Sequence, residues 1–168
     1  MILITGASGQ LSSLVIERAR VAGLPLLTAS RSTGADRPMD FDKPETLDFS
    51  NVSTLFLLSA GYAEDDVVIR RHGAVLNAAR RQGVAHVVYT SLSQASDHLG
   101  FALAHRWTER AIQDSGLAWT ILRNGLYAEL IGMLAVPQGG RITVPFGTRA
   151  ISAVARADLA DAALAVLH

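Results

Sequence analysis

The sequence predicts an α/β fold, a doubly wound parallel sheet flanked by helices, and three observations carry that prediction. The chain opens with an apolar run, residues 1–4, which a glycine turn, Gly6-Ala7-Ser8-Gly9, separates from a helical period at Leu11, Leu14, Val15, Ala19 and Ala22. Further strand-like runs then alternate with helix-like periods along most of the chain, the pattern of a parallel sheet wrapped by crossover helices. One such run, residues 52–58 (Val-Ser-Thr-Leu-Phe-Leu-Leu), is nearly all apolar, as befits a strand covered on both faces.

The first twelve residues set strand, tight turn and helix in the order that aims backbone N–H groups and a helix dipole at a phosphate. Gly6 lets the chain turn sharply at the strand end, and Gly9 lets the backbone approach a pyrophosphate with no Cβ in the way. A glycine pair alone is a weak signal, and a ligand-free turn is the competing reading. The strand before it and the amphipathic helix after it favour the ligand. No G-x-x-x-x-G-K-[ST] loop occurs, which disfavours a P-loop kinase or ATPase. Ser12 stands where a third glycine is usual, so a slightly looser helix–strand contact is expected there.

After the stop signal Gly23-Leu24-Pro25, residues 26–29 read as the second strand, ending at Ser30-Arg31-Ser32. In a dinucleotide fold the residue past this strand meets the adenosine ribose; an acid suits a free 2′-hydroxyl and an arginine a 2′-phosphate. Arg31 therefore points to NADP(H) over NAD(H), although Arg37 is equally available and a solvated Arg31 is the plain alternative. Residues 33–38 leave no room for a crossover helix before Met39-Asp40-Phe41. Asp40 can accept from an adenine amino group with Phe41 on the ring, or simply cap the short helix expected over residues 44–47.

Residues 52–58 end in Ser59-Ala60-Gly61-Tyr62, small residues suited to line a cofactor cleft. The next helix sets Val68, His72, Val75, Leu76 and Ala79 on one face, which makes His72 a satisfied, partly buried histidine rather than a ligand. Arg70, Arg71, Arg80 and Arg81 fall on the solvated face or pair locally. Gly83 closes that helix, and residues 84–89 form a strand ending in Thr90-Ser91-Leu92, where a hydroxyl would lie beside a nicotinamide. The following helix is expected to cover Leu103, Ala104, Trp107, Ala111 and Ile112, with His105 and Glu109 four apart and close enough to pair. Residues 118–122 are another strand, finishing at Arg123-Asn124-Gly125-Leu126-Tyr127.

The last part changes character, with a short helix over 130–136, a Gly139-Gly140 turn and a strand over 141–144. Asp158-Leu159-Ala160-Asp161 resembles a capping box opening a helix that carries Leu159, Ala163, Leu164 and Leu167. That helix runs into His168 with an apolar face unused, so further residues are expected beyond it.

The 168 residues suit one domain with a core of its own. With 49% hydrophobic residues and a formal net charge of zero, the chain offers no global field to draw nucleic acid or an anionic membrane. Near-zero charge weakly favours self-association, so a homodimer is an open expectation. The chain has no cysteine, which excludes disulfides, thiolate nucleophiles and Cys-ligated metals. The first residues lack a basic leader and the apolar run is too short to span a bilayer, so a cytoplasmic protein is expected.

No metal constellation is present: the five histidines lack any H-E-x-x-H or Cys/His spacing. The nucleophile elbow G-x-S-x-G is also absent, because Ser8 comes one place too early. Hydride transfer makes lighter demands, since the cofactor carries the chemistry and the protein must hold it against an acceptor in a dry cleft. A carbonyl acceptor wants a proton donor, commonly a tyrosine with a lysine one helical turn away. Phe101 and His105 occupy positions of that spacing and cannot reproduce the pair, leaving Tyr127 and Tyr62 as donors. A quinone takes hydride with its proton from solvent or a more distant group.

Taken together, the segments Ile4-Thr5-Gly6-Ala7-Ser8-Gly9-Gln10-Leu11, Arg31, Asp40-Phe41-Asp42, Tyr89-Thr90-Ser91, His105 to Glu109, Ser115-Gly116 and Leu122-Arg123-Asn124-Gly125 resemble the atypical short-chain dehydrogenase/reductase family. The resemblance is closest to its NmrA-like branch, which includes NADPH-dependent quinone oxidoreductases, and runs over essentially the whole chain. It implies a Rossmann-type domain over residues 1–125. Residues 126–168 would be the start of a small, incomplete lid region, together with a helix returning to the core. It further implies NADP(H), less readily NAD(H), and hydride transfer to a quinone or similar small electrophile. Some members of the branch sense the NADP redox state without turnover and bind a regulatory protein, and that is the alternative.

Carried across, Gly6, Ser8, Gly9, Gln10 and Leu11 match the phosphate loop, Arg31 the 2′-phosphate reader, and Asp40 and Phe41 the adenine-side loop. Ser59, Ala60, Gly61, Thr90 and Ser91 would line the nicotinamide half. The family's Tyr-x-x-x-Lys appears as Phe101-x-x-x-His105, with His105 contacting cofactor or substrate and Tyr127 covering the ring. Ser12, the short crossover after Arg31 and the family's usual continuation past the position of His168 are the departures.

Overall fold

The computed structural model describes residues 1–59, 63–93, 100, 102–135, 137, 139–143 and 151–168. Among them, six strands form one parallel sheet: β1 (Ile2–Thr5), β2 (Leu26–Ser30), β3 (Arg37–Pro38), β4 (Thr54–Leu57), β5 (His86–Leu92) and β6 (Ala118–Asn124). Their order is β3-β2-β1-β4-β5-β6, so the winding reverses between β1 and β4, the place where such sheets open a crevice at their carboxyl edge. Register is continuous across it, Ile4 pairing with Thr28 on one side and Phe56 on the other.

Helices close both faces. α1 (Gln10–Val21) lies beside the C-terminal helix α5 (Arg156–Leu167), while α2 (Asp65–Arg81) packs on α3 (Ala102–Gln113). Side chains alternate along each strand as a period of two requires. Ile2, Ile4, Phe56 and Val88 enter the α1–α5 core; Leu3, Leu55, Leu57, Val87 and Tyr89 enter the α2–α3 core. Of the helical stripes, that of α2 is as expected, with Val68, His72, Val75, Leu76 and Ala79 all buried.

The crossover from β2 to β3 is a loop with no helix, as its length dictates. A reciprocal clasp holds it: Thr28 donates from both its amide and its hydroxyl to Asp36 Oδ2 at 2.8 Å, and the Asp36 amide returns a bond to Thr28 Oγ1 at 3.0 Å. Those bonds keep the Asp36 carboxyl below the usual carboxylate range. A single 3-10 turn, Pro44–Thr46, follows β3.

The structure corrects the reading of the last third. On α3 the buried residues are Ala102, Ala104, Thr108 and Ile112, whereas Leu103 is 50% and Trp107 38% exposed. Small residues face inward because α3 lies close against its neighbours; a Cβ on Gly73 of α2 would stand 3.3 Å from the Trp107 ring. The C-terminal part has α4 (Ala128–Leu134) and a small second sheet pairing β7 (Leu126–Tyr127) with β8 (Ala153–Val154). Among described residues 141–143 there is an isolated bridge at Arg141 in place of the expected strand. α5 starts two residues before the expected capping box, at Arg156, whose amide is taken by Glu129 Oε1 of α4 at 3.0 Å. Nor is its apolar face unused: Leu159, Ala160, Ala163 and Leu167 are buried in the α1–α5 core.

Candidate functional site

The turn after β1 is built for close approach. Gly6 sits at φ +63°, where a Cβ would also meet Leu58 at 3.2 Å. A Cβ on Gly9 would press the Gly6 carbonyl at 3.1 Å, the same oxygen that accepts the Gly9 amide at 2.8 Å. Ser12 is fully buried and donates to the Thr5 carbonyl at 3.0 Å. In place of the looser contact expected of a missing glycine, the hydroxyl ties helix to strand.

α1 begins at this turn with Gly9 as N-cap and no side-chain cap. No acceptor among the described residues takes the amides of Gln10, Leu11 and Ser12. Unfilled donors and the positive end of the helix dipole therefore coincide, which suits an anion such as a pyrophosphate. Ser8 and Gln10 are exposed at the mouth of the turn, while the Leu11 side chain is core and only its amide can serve a ligand. The turn thus fits the pyrophosphate of a dinucleotide.

Toward the second strand, the missing crossover helix leaves an open cleft of about 550 Å³ between α1 and the loop, walled by residues including Ser8, Ser13, Arg20, Ser30 and Ser32. Arg31 is exposed at its rim. Arg37, the other arginine within reach by sequence, is committed elsewhere: its guanidinium donates to the carbonyls of Asp48 at 2.7 Å and Ser50 at 2.6 Å. Asp40 does not cap the 3-10 turn, whose N-cap is Lys43 with no side-chain bond; its Oδ1 accepts the Asp42 amide at 3.1 Å. Phe41 is half-buried against the α2–α3 core. Arg70 stays on the solvated face as expected while Arg71 is largely covered; both reach back to Asp42, Arg71 Nε at 2.9 Å, and hold its carboxyl below the ordinary range.

At the carboxyl ends of β4 and β5 the structure brings Ser59, Thr90 and Ser91 together, the Ser59 amide reaching Thr90 Oγ1 at 3.4 Å. Ala60 and Gly61, expected beside them, lie outside the described residues, as do Tyr62 and Phe101. The Ser91 hydroxyl donates to Glu109 Oε1 at 2.6 Å, and Arg123 clamps the same carboxylate at 2.7 and 3.1 Å. Glu109 thus pairs with these two groups and not with His105. Burial raises the Glu109 pKa, but the bonds from Arg123 and Ser91 outweigh it and leave the carboxyl lowered.

His105 bonds instead to Tyr89, a residue of the resembling segments to which the sequence assigned no role. Its Nδ1 lies 2.7 Å from the hydroxyl of Tyr89, which is fully buried on β5. His72 stacks edge-on to the same phenol at 5.6 Å and places Nδ1 2.7 Å from Thr108 Oγ1, whose proton goes to the Ala104 carbonyl. Burial lowers the His72 pKa to about 3 and lowers that of His105, against the pull of Glu109 and Asp65. The signal for Tyr89 was in the sequence: a lone phenol in an otherwise apolar stretch of strand, which needs a partner when buried.

Tyr127 is placed apart from His105. It caps α4, packs on the α1–α5 core, and lies under the Arg156 guanidinium at 4.2 Å. His105 belongs to α3 in the other helical layer. Among the described residues no His/Asp/Glu group could hold a metal ion, and no helix is long and apolar enough to cross a membrane.

Comparison with known proteins agrees with this geometry. The family model for NAD(P)H-binding proteins matches residues 6–168. Quinone oxidoreductase 2 of Escherichia coli is 34% identical over 184 residues, covering 99% of this chain and 64% of the relative. Among solved structures, the NADP(H) complex of Citrobacter sp. triphenylmethane reductase superimposes with a TM-score of 0.90 at 33% identity, over 99% of this chain and 65% of that one. The NADPH complex of the Escherichia coli quinone oxidoreductase does so at 0.88 and 34%, over 99% and 64%. The chain therefore spans under two thirds of the length of these relatives. With the glycine turn, the uncapped α1 and the parallel sheet in place, the chain belongs to the NAD(P)H-binding family of Rossmann-type proteins, alongside quinone and triphenylmethane reductases.

Proposed function

We propose that the chain is the nucleotide-binding part of an NADPH-dependent reductase acting on planar, conjugated electrophiles such as quinones. The observation that carries this is the uncapped N-terminus of α1 on a glycine turn that excludes side chains, set at the carboxyl edge of the sheet. In this reading the amides of residues 10–12 hold the pyrophosphate and the Ser8 hydroxyl assists them. Arg31 meets the 2′-phosphate, because Arg37, the other arginine between β2 and the short β3, has its guanidinium tied to main-chain carbonyls. Asp40 and Phe41 border the adenine side. Ser59 and Thr90 flank the nicotinamide half, with Ala60 and Gly61 beyond the described segment. Ser91 gives its proton to Glu109 and so can only accept.

When bound, NADPH supplies a hydride from C4 of its nicotinamide. The chain's own part is to orient, to exclude water and to offer a donor to charge that develops on the acceptor. His105 is the proposed donor. Kept neutral by burial, it can hydrogen-bond an oxyanion without itself titrating, as a neutral imidazole does in other enzymes. Tyr127, at the start of residues 126–168, is proposed to cover the ring as part of a lid.

The acceptor class follows from two relatives whose names give a quinone and a triphenylmethane as substrate. Both are flat, delocalised and electron-poor. They differ in one respect that the site can report: a quinone gains an oxyanion as it accepts hydride, while a cationic triphenylmethane dye becomes neutral and wants no donor. Purified protein should oxidise NADPH with 1,4-benzoquinone and with a cationic dye, measured by loss of nicotinamide absorbance. NADPH binding without oxidation by either would contradict the reductase reading.

A further inference from the structure

We propose that Tyr89 is a positioning residue of this site: its phenol, 2.7 Å from His105 Nδ1, fixes His105 as the Nε2–H tautomer, so that the ring offers a hydrogen-bond donor to an oxygen-bearing acceptor. The inference rests on the reductase reading for its functional half, and on geometry alone for its structural half.

The direction of the hydrogen bond follows from the groups around it. Tyr89 is fully buried and His105 partly so, and both are neutral. Between a phenol and an imidazole the phenol is the stronger acid while the bare imidazole nitrogen is the stronger base. O–H···N is thus favoured over N–H···O. The surroundings agree, because the Ser59 side chain hydrogen-bonds the phenol and its hydroxyl can donate to the phenol oxygen, leaving the phenol's own proton for His105. Thr108, whose proton goes to Ala104, adds no donor there. Thr108 is in turn fixed by the Ala104 carbonyl at 2.8 Å and by His72 at 2.7 Å. Tyr89 is therefore held through its hydroxyl by His105 and through its ring, edge-on to His72 and tilted 39° to His105. A side chain so fixed sets both the tautomer and the ring angle of its neighbour, as the partner of a catalytic imidazole does in hydrolytic triads.

The placement suits a role at the site rather than in the core alone. Tyr89 lies one residue before Thr90, whose hydroxyl meets the Ser59 amide at the carboxyl edge. His105 is half-exposed on α3, and among the described residues no group takes its Nε2. An apolar residue at position 89 would fill the same volume. What the phenol adds is hydrogen bonding, including the 2.7 Å contact to His105 Nδ1.

The test uses Tyr89→Phe in the full chain with saturating NADPH, 1,4-benzoquinone and a cationic triphenylmethane dye as acceptors, and nitrogen-15 spectra of the histidine rings. We expect wild-type His105 to carry its proton on Nε2 and the variant to lose that single state. Turnover of the quinone should fall about tenfold, short of the roughly hundredfold loss that follows deletion of a transition-state donor itself. Dye turnover and the Kd for NADPH should stay within about twofold, since neither needs that donor. Equal losses on both acceptors would make Tyr89 a packing residue and overturn the proposal, as would wild-type quinone turnover in the variant or a wild-type His105 protonated on Nδ1. Were the wild-type protein to reduce neither acceptor, the reductase reading would fail by itself. The ring spectra of the NADPH-bound protein would then still decide whether Tyr89 fixes the tautomer.

Discussion

The two helical layers are built from different materials. The α1–α5 layer is closed by aliphatic side chains, Ile2, Ile4, Val15, Val88, Leu159 and Ala163, with Phe56 among them, and its end offers a ligand only backbone amides and small hydroxyls. The α2–α3 layer has an equally apolar floor but carries His72, Tyr89, His105, Thr108 and Glu109 as a polar group at its upper end. Dinucleotide binding can be delivered by main chain, because phosphates need donors and space. Discriminating between acceptors needs side chains in fixed protonation states, and those must be supported from within the core.

If that division holds, substitutions in one layer should leave the other layer's property untouched. The largest effect is expected on acid stability from the α2–α3 side. The His72 pKa is near 3 in the folded chain against 6.5 unfolded, so between these values the unfolded state binds a proton that the folded state refuses. Stability is full above about pH 6.5 and falls as pH drops, at up to about 1.4 kcal/mol per pH unit. A His72→Asn variant has no titrating group at that position, so urea melts from pH 7 to 4 should show a flatter acid limb with the Kd for NADPH unchanged. An unaltered limb would contradict the buried neutral histidine.

Next comes the glycine turn. Gly9→Ala sets a Cβ against the Gly6 carbonyl at 3.1 Å, and NADPH binding by fluorescence titration should weaken about a hundredfold, near 2.7 kcal/mol. Its acid limb should match wild type. Arg31→Ala should weaken NADPH about tenfold, the scale of one charged hydrogen bond, and leave NADH unaffected; equal loss on both cofactors would remove the 2′-phosphate assignment. Smallest is Arg71→Ala, which removes the ion pair holding Asp42 beside the proposed adenine-side residues and should raise the NADPH Kd no more than about threefold, an exposed pair contributing little.

The same contrast explains what the sequence made legible. The phosphate turn was readable because it is local: two glycines, a strand before and a helical period after determine it without help from the rest of the chain. The α2 stripe was readable because its large apolar residues are the buried ones. On α3 the rule reversed. Close packing against the sheet and against Gly73 selects Ala102, Ala104 and Thr108 for the inside and leaves Leu103 and Trp107 at the margin, which a ranking by hydrophobicity cannot foresee. The start of α5 is set by Glu129, 27 residues earlier, and not by the nearer Asp158. The Tyr89–His105 bond crosses from strand to helix, so no spacing rule announces it. His105 was chosen for its place in a family pattern, and its true partner came from the fold.

The most direct test of the central claim, hydride transfer by this chain, follows the hydrogen itself. NADPH carrying deuterium at both C4 positions would be incubated with the protein and a cationic triphenylmethane dye, and the reduced dye analysed by mass and NMR. The carbon–deuterium bond formed at the central carbon does not exchange with water, so the label survives isolation. The account predicts one deuterium at that carbon in the reduced product. Tight NADPH binding with no label transferred, to this dye or to any planar electrophile, would contradict it and leave a protein that reads the dinucleotide without using it.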